Sequence, residues 1–589
     1  MPEPPPLFPF PRQFESGGAG PAAEAEPEAE PDSSLPEQGY ELTAGAGGIR
    51  IRHADEAGLR YARSTLAQLR AASPGGLPGL RVRDWPDFPL RGYMLDVSRD
   101  RVPTRATLGR LVALLERLRF NHLQLYVEHS FAYRRHLTVW KDASPLTAED
   151  LRWLDGLCAE AGIELTANQN CFGHMARWLT HDGYRARAEA PDGWQAFGGR
   201  RLGPATLAPT PENAEFALDL CREQLESLRS RRINIGCDET FELGRGRSAE
   251  AVAERGRGRV YLEHLLRLLN GLHEDGCEVL FWGDIVRSHP ELIGELPRER
   301  TVALAWHYEA PNDSPEARAL IEPLADFGID TEILRGFEAQ VAPFAQADRP
   351  FWVCPGSSGW NSFVGRLSNA RANIDDAVSA GLAAGARGFL LTDWGDNGHL
   401  QPPSVSFAPL ALAAGLTWCA AANRDRPLAE TLDAHVFQDP EAQLGAALEA
   451  LGDVYRQTGR LAFNASPVFA ELVPEAALAI HGEVSEPATR AALEAIDEAS
   501  TRIARARPAC SDAEAVTREL AQAARLARHG VWRLRRRAGF TAPEPAPLQI
   551  DLREAIEEQR ACWLARSRPG GLEDSLTRLH RALTRYTES

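Results

Sequence analysis

The sequence has little of what proteins that bind nucleic acid or membranes require. Lys141 is the only lysine in 589 residues, and 65 basic residues stand against 82 acidic ones, giving a formal charge of −17. Binding a polyanion requires a basic stripe, so we expect no nucleic-acid partner. The chain has no run of about 18 uninterrupted apolar residues that could span a bilayer, so we expect no membrane partner. A neutral or cationic ligand fits this charge better.

The chain also lacks signals for export and for disulfide or metal frameworks. Residues 1–6 contain no basic stretch followed by an apolar one, so we expect no signal peptide and a cytoplasmic location. The nine cysteines form no Cys-x-x-Cys pair, a pattern typical of scattered reduced thiols. We therefore expect neither a metal site nor a cofactor.

Composition divides the chain into three predicted parts. Residues 1–90 indicate a small α+β domain, with a connector rich in Pro, Glu and Gly at 17–38, an alternating strand near 49–52 and an amphipathic helix after it. Residues 91–410 form the second part, and residues 411–589 are rich in Ala and Leu at helical spacing. We expect the third part to be a helical extension that packs on the barrel or on a second subunit of a homodimer.

The middle part alternates short apolar runs with longer amphipathic segments, which is the pattern of βα units around a parallel sheet. Eight such runs are present, and eight is the number of strands that closes a (β/α)₈ barrel. The fold class predicted is α/β, a (β/α)₈ barrel between a small α+β domain and a helical region. The predicted strands begin near Tyr93, His122, Glu164, Arg232, Glu278, Thr301, Phe351 and Gly388.

The carboxyl ends of these runs carry polar and aromatic residues. The clearest case is the apolar run from Arg232 that ends in Asp238 and Glu239, as a buried parallel strand does when it opens into a polar site. Because all strand ends meet at one face of a barrel, we expect a single cavity there. The other ends contribute Arg99, Glu128, Asn170, Trp282, Trp306, Trp360, Trp394 and Asp396.

Tryptophans together with carboxylates and an arginine are typical of a sugar site, since indole stacks on C–H faces and charged groups bind hydroxyls. From about Tyr40 to Pro409 the sequence resembles glycoside hydrolase family 20, the β-N-acetylhexosaminidases. The motifs that carry this resemblance are residues 84–88 before the first barrel strand, 91–99 on it, Phe172-Gly173-His174, Gly236-Cys237-Asp238-Glu239 and Trp394-Gly395-Asp396.

The resemblance implies an exo-acting retaining glycosidase without an enzyme nucleophile, because the acetamido oxygen of the substrate attacks the anomeric carbon. An enzyme of this kind removes terminal β-linked N-acetylglucosamine or N-acetylgalactosamine from a small oligosaccharide or glycoconjugate. Glu239 is implied as the general acid and then base, and Asp238 as the group that holds the acetamido N–H and stabilises the developing charge. Adjacent residues of a regular strand point to opposite faces, so this pair must lie where the strand gives way to a loop.

The same resemblance assigns substrate-binding residues. Arg99 and Asp396 are implied in binding sugar hydroxyls, and Trp282, Trp306 and Trp394 in walling the acetamido pocket. His174, with Glu128, is implied in a relay that keeps Glu239 protonated.

Two departures from the family pattern stand out. The chain has Asn170 where the family has an aspartate, and it has no tyrosine after the seventh strand to hold the acetamido carbonyl. Trp360 or Asn361 is expected to donate that hydrogen bond instead.

Two other hypotheses remain open at this point. In a conventional two-carboxylate glycosidase, Asp238 or Asp396 would attack the sugar directly. In a catalytically inactive sugar-binding barrel, the site would retain ligand without cleaving it. The sequence does not distinguish gluco- from galacto-configured sugars, since that depends on how Arg99, Asp396 and loop residues meet the 4-hydroxyl.

Overall fold

The computed structural model describes residues 6–18, 20–21, 25–195, 201–327 and 331–586. A five-stranded sheet precedes the barrel along the chain. Its strand order is β1-β5-β3-β4-β2, and the helix α1 packs on strands β3 and β4. Asp55 caps α1 by accepting from the Gly58 N–H, which satisfies one of the free donors at a helix start. These elements are β1 (Gln13–Ser16), β2 (Pro27–Pro31), β3 (Tyr40–Gly45), β4 (Gly48–His53), α1 (Glu56–Ala72) and β5 (Leu80–Asp84).

The connector predicted at residues 17–38 is corrected by β2, which lies inside it and pairs in parallel with β4. Its sequence Pro-Glu-Ala-Glu-Pro is mostly exposed at the edge of the sheet. Proline and charged residues are tolerated on edge strands, where they discourage further pairing. At residues 27–31 the composition therefore reflects an edge strand and not a loose linker. Residues 19 and 22–24 of the predicted connector lie outside the described residues.

Eight parallel strands close the barrel at the positions that the sequence predicted, in the order β11-β12-β13-β14-β15-β6-β7-β8. Every residue of β7 and of β15 is buried, as expected of strands covered on both faces. In chain order the strands are β6 (Arg91–Asp96), β7 (His122–Tyr126), β8 (Glu164–Asn168), the two strands of a short hairpin, β9 (Trp194–Gln195) and β10 (Arg201–Leu202), then β11 (Arg232–Asn234), β12 (Glu278–Trp282), β13 (Thr301–Trp306), β14 (Phe351–Cys354) and β15 (Gly388–Asp393).

Helices connect the strands, and several begin at capping residues that the sequence supplies. Thr104 caps α2, and Thr147 with Asp150 forms a capping box on α4. The helices are α2 (Arg105–Arg117), α3 (Leu137–Trp140), α4 (Ala148–Glu160), α5 (Ala176–Leu179), α6 (Asp182–Arg185), α7 (Pro211–Leu225), α8 (Ala249–Arg255), α9 (Arg257–Glu274), α10 (Asp284–Arg287), α11 (Pro315–Ile321), α12 (Phe337–Gln346) and α13 (Leu367–Ala384).

The helix α14 (Phe407–Asn423) joins the barrel to the N-terminal domain. The stretch 403–423 is long and apolar enough to cross a bilayer by length and composition, but 83% of its most apolar window is buried inside the protein. Its residues Trp418 and Cys419 belong to the apolar core of the N-terminal domain, and Trp418 Nε1 donates to Asp84 at 2.8 Å. The boundary predicted at residue 410 therefore falls within a core helix that both domains share.

The rest of the chain is mostly helical, as predicted, and packs on the barrel. Gln559 Nε2 donates to the carbonyl of Leu400 at 2.9 Å, and the Arg568 N–H donates to the carbonyl of Val102 at 2.8 Å. Both acceptors lie on loops that follow barrel strands. The elements are α15 (Leu428–Thr431), α16 (Leu444–Gly452), β16 (Arg460–Ala462), α17 (Pro467–Ala470), β17 (Ile480–Gly482), α18 (Glu486–Arg505), α19 (Ala513–Arg537), α20 (Pro545–Arg566) and α21 (Leu572–Thr584).

Candidate active site

Asp238 and Glu239 lie in the loop that follows β11, which ends at Asn234. The chain leaves the strand through left-handed residues, with φ of 66° at Gly236, 72° at Cys237 and 47° at Glu239. A Cβ on Gly236 would meet the side chain of Asn170 at 2.5 Å, so this turn needs glycine. Because the backbone is no longer extended here, the two adjacent carboxylates reach the same cavity, as the sequence required.

His174 joins the two carboxylates. Its Nε2 lies 3.2 Å from Asp238 Oδ2 and 3.3 Å from Glu239 Oε2. The loop that carries His174 approaches closely because Gly173 has no side chain, since a Cβ there would lie 2.3 Å from the carbonyl oxygen of Asp238. Burial alone would lower the pKa of His174, but the charge of Asp238 and the hydrogen bonds to both carboxylates outweigh it, and the pKa rises well above its usual value.

The two carboxylates differ in exposure and surroundings. The side chain of Asp238 is 9% exposed and that of Glu239 is 39% exposed, so Asp238 lies deep in the cavity and Glu239 at its rim. Burial would raise the pKa of Asp238, but His174 and the side-chain N–H of Asn170 lower it. Asp238 is thereby kept ionised.

Arg99 lies beside His174, with Nη2 3.4 Å from His174 Nδ1. Its guanidinium donates to Asp96 at 3.0 Å and lies 3.5 Å from Glu128 and 3.9 Å from Asp396. It stacks between the rings of Tyr126 and Trp394, at 4.8 and 4.9 Å from their centroids. The structure thus brings Arg99, Glu128 and Asp396 together as predicted.

Two further carboxyl groups, Asp396 and Glu128, lie beside Arg99. Burial raises the pKa of Asp396 to about 6, although Arg99 opposes the rise. Glu128 lies 3.9 Å from His174 Nδ1 and accepts a hydrogen bond from Tyr126 at 3.0 Å. Glu128 therefore lies close to both His174 and Arg99.

Aromatic rings line the recess beside the carboxylates. Trp282 and Trp394 lie 5.9 Å apart, and Trp306 stacks on Tyr308 at 5.0 Å. Trp394 Nε1 donates to the Tyr308 hydroxyl at 2.9 Å. Among the described residues, no partner is found for the buried Trp282 Nε1. The three predicted tryptophans therefore share one recess, with Tyr308 added.

Trp360 and Asn361 are placed differently from the prediction. Trp360 is fully buried and donates its Nε1–H to Asn464 Oδ1 at 3.1 Å, and Asn361 Nδ2 donates to the Asn464 carbonyl at 3.1 Å. The only N–H of the Trp360 side chain is used in its bond, and Asn361 is only 3% exposed. Trp360 instead packs edge-on behind Tyr308 at 5.1 Å, so its role is to support that ring.

Sequence reasoning gave no role to Tyr308 or Asp284, and it named Asn170 only as a strand-end residue and as a departure from the family pattern. The Tyr308 oxygen accepts from Trp394, and the hydroxyl also has a hydrogen bond with Thr392, so its hydrogen can be donated to Thr392 or to a ligand. Asn170 donates to Asp238 at 2.9 Å. Asp284 accepts from the Glu239 N–H at 3.2 Å, and burial, with the charge of Asp238, raises the pKa of Asp284 to about 7. All three occupy strand ends, and that position was the signal that could have identified them.

His174, Asp238 and Glu239 are also a possible set of metal ligands, because one donor atom from each lies within 4.8 Å of the others. The imidazole and both carboxylates are already within hydrogen-bonding distance in this arrangement. Such a group can also hold and transfer a proton, and we assign it to acid–base chemistry.

These features define a (β/α)₈-barrel protein with carboxylates, an arginine and tryptophans gathered at the carboxyl face of the strands. The family profile described as "Glycosyl hydrolase family 20, domain 2" matches residues 7–85. This part of the chain is therefore similar to the second domain of that family.

Curated relatives match part of the chain. A "Beta-hexosaminidase" of Akkermansia muciniphila is 28% identical over 162 residues, which cover 24% of this chain and 33% of the relative. "Hexosaminidase D" of Homo sapiens is 23% identical over 235 residues, which cover 38% of this chain and 46% of the relative. The chain thus spans less than two thirds of the length of the curated relatives it matches.

Solved structures share the fold over a longer stretch. The X-ray structure of Flavobacterium johnsoniae chitobiase superposes with a TM-score of 0.55 at 13% identity, covering 95% of this chain and 99% of that one. The similarity includes the barrel and extends over most of the chain, which confirms the predicted fold class.

Proposed function

We propose that the protein is an exo-acting retaining β-N-acetylhexosaminidase that uses the acetamido group of its substrate as the nucleophile. The observation that carries this proposal is the single imidazole of His174 within 3.3 Å of both Asp238 and Glu239. One carboxylate is buried and ionised, and the other lies at the rim, where the leaving group would depart. Their roles therefore differ.

In the first step the acetamido carbonyl oxygen attacks the anomeric carbon, and the bond to the leaving oxygen breaks. Glu239 gives its proton to that oxygen, and the positive charge spreads over the oxazolinium ring. Asp238 accepts a hydrogen bond from the acetamido N–H and stabilises this charge. The low pKa of Asp238, maintained by His174 and Asn170, suits this role.

In the second step Glu239, now a carboxylate, takes a proton from water while the water oxygen forms a bond to the anomeric carbon. The oxazolinium ring opens, the acetamido group is restored, and the β configuration is retained. His174 holds both carboxylates in place, and its raised pKa keeps a positive charge between them.

The terminal sugar is bound by Arg99, Asp396 and the tryptophans. Arg99 donates to sugar hydroxyls and Asp396 accepts from them. Trp282, Trp306 and Trp394 enclose the acetamido methyl group and the sugar face. Tyr308 is the hydroxyl available to donate to the acetamido carbonyl, in place of the family's tyrosine after the seventh strand. The substrate is a small oligosaccharide or glycoconjugate that ends in N-acetylglucosamine or N-acetylgalactosamine.

The assignment of Glu239 is tested with two leaving groups. We expect Glu239→Gln to lower kcat/KM by roughly 10²-fold or more for a methylumbelliferyl glycoside, which needs a proton, and much less for a dinitrophenyl glycoside, which does not. Glu250→Gln, at an exposed position on α8, is the matched control and should retain full activity. Equal losses of kcat/KM on both substrates would show that Glu239 is not the general acid.

The cytoplasmic location and the homodimer remain proposals that rest on the sequence. Sedimentation of the purified chain over a range of concentrations tests the dimer directly. A monomer at micromolar concentration would contradict it.

A further inference from the structure

The loop after β6 carries the sugar-binding Arg99 and turns sharply at the next residue. Asp100 has a φ of 68°, in the left-handed region that aspartate tolerates better than most residues. Its side chain is only 4% exposed. The direction in which Arg99 points therefore depends on what holds Asp100.

Asp100 is held by two arginines from different parts of the chain. Arg177, on the helix that follows the His174 loop, donates to Asp100 Oδ1 at 2.6 Å. Arg578, on the last helix α21, donates to Asp100 Oδ2 at 3.2 Å. Arg177 also pairs with Asp574 of α21 at 3.0 Å. Asp100 thus ties the Arg99 loop and the His174 loop to α21.

The segment 567–571, which we call the strap, lies between α20 and α21 and runs along the same loop. Arg101 Nε donates to Ser567 Oγ at 2.9 Å, and the Arg568 N–H donates to the Val102 carbonyl at 2.8 Å. At Gly571, where φ is 77°, a Cβ would lie 1.9 Å from the Asp100 carbonyl oxygen. The strap can pack this closely only because that residue is glycine.

The helix α21 also contacts the loop after β15, which carries Trp394 and Asp396. Ser575 Oγ donates to the Gly398 carbonyl. A Cβ on Gly398 would lie 3.0 Å from the Arg578 side chain, so the helix and this loop are in direct contact. One helix therefore contacts both loops that present Arg99 and Asp396, whose side chains lie 3.9 Å apart.

We propose that the strap and α21 are positioning elements that set the spacing of Arg99 and Asp396 and thereby the affinity for the terminal sugar. The sugar-binding part of this inference rests on the proposed function. The positioning residues are Arg578 and Ser575, which act through Asp100 and Gly398 and do not reach the recess themselves. The C-terminal helices are on this account part of the active face, whatever the oligomeric state.

The first test separates KM from kcat on an aryl N-acetylhexosaminide. We expect Arg578→Ala with Ser575→Ala to raise KM by about tenfold and to change kcat by less than about twofold, because ground-state contacts are loosened while the carboxylate pair stays in place. Arg578→Lys, which keeps the charge, should recover part of the loss. Arg581→Ala removes an exposed arginine of the same helix whose nearest carboxylate partner, Glu475, lies 3.7 Å away, and it should leave KM unchanged.

The second test is independent of activity. Hydrogen exchange should become faster in peptides covering residues 97–102 and 395–401 of the double variant, and remain at the wild-type rate in Arg581→Ala. Wild-type protein that cleaves no N-acetylhexosaminide would refute the proposed function and leave this exchange result to decide the positioning role. Unchanged exchange together with unchanged KM in the double variant would overturn the inference. If that variant does not fold, Ser575→Ala and Arg578→Lys carry the same comparison.

Discussion

The side-chain amide of Asn170 donates a hydrogen bond of 2.9 Å to Asp238 Oδ1. Its own oxygen accepts from the Cys237 N–H at 3.2 Å, which fixes the orientation of the amide. The family pattern has an aspartate at this position, and an aspartate could not donate while ionised. In this chain a neutral donor supports the ionised state of Asp238 instead.

Replacing Asn170 by aspartate should damage the site through charge. Two carboxylates would lie within hydrogen-bonding distance, so the pKa of Asp238 should rise and the acid limb of the kcat/KM profile should move to higher pH. We expect a loss of about tenfold or more at the wild-type optimum. Asn312→Asp, at an exposed position, is the control. A profile that coincides with wild type would show that the amide does not set the charge of Asp238.

Tyr308 offers a test that leaves the packing intact. Tyr308→Phe keeps the ring between Trp306 and Trp360 and removes only the hydroxyl that Trp394 orients. We expect kcat/KM to fall by about tenfold, which corresponds to the loss of one hydrogen bond to a group that gains charge in the transition state. The measurement is steady-state kinetics with N-acetyl substrates.

The control for that variant is Tyr586→Phe, which removes a hydroxyl bonded to His529 in the C-terminal helices. It should retain wild-type kinetics. Full activity in Tyr308→Phe would show that a group other than Tyr308 donates a hydrogen bond to the acetamido carbonyl.

The titration of Asp396 predicts how sugar binding depends on pH. Burial raises the pKa of Asp396 to about 6, so the carboxylate that we propose as the acceptor for sugar hydroxyls is lost as the pH falls through that value. We expect KM to rise below about pH 6, and Asp396→Asn to have a high KM with no such dependence. Initial rates between about pH 5 and pH 8 check this. A KM that stays flat in wild type would contradict the assignment.

Asp284 predicts a pH dependence of stability. Its pKa is raised from 3.8 to about 7 in the folded protein, so the folded state favours the neutral acid, and the resulting stability is lost as the pH rises through about 7. Asp284→Asn stays neutral and should gain thermal stability relative to wild type, more at about pH 8 than at about pH 5, by on the order of a few kcal/mol. Melting temperatures of both proteins at the two pH values measure it. An equal gain at both would exclude titration of Asp284 as the cause.

The sequence predicted the barrel well because each strand is a short apolar run, and burial on both faces leaves little choice of structure. It failed at β2, where proline and glutamate mark an edge strand and composition alone suggested a linker. The carboxylate pair, Arg99 and the tryptophans were found because charge and aromaticity at strand ends are visible in one dimension.

The roles of Asn170 and Tyr308 were not predicted, for a different reason. Their roles depend on which atoms of other strands they meet, namely Asp238 and Trp394. Trp360 was wrongly predicted to bind the ligand. It is buried behind Tyr308 and bonded to Asn464, about 100 residues away, and neither contact leaves a signal in the local sequence.

In the proposed reaction the acetamido group of the substrate attacks the anomeric carbon, Asp238 stabilises that group and Glu239 transfers the proton. The most direct measurement compares kcat/KM for two aryl β-glycosides that differ only at C2, one with acetamido and one with hydroxyl, in wild type and in Asp238→Asn. We predict that wild type cleaves the acetamido substrate at least about 10²-fold faster and that Asp238→Asn removes most of this advantage. Equal rates on the two substrates in wild type would show that the acetamido group is not the nucleophile.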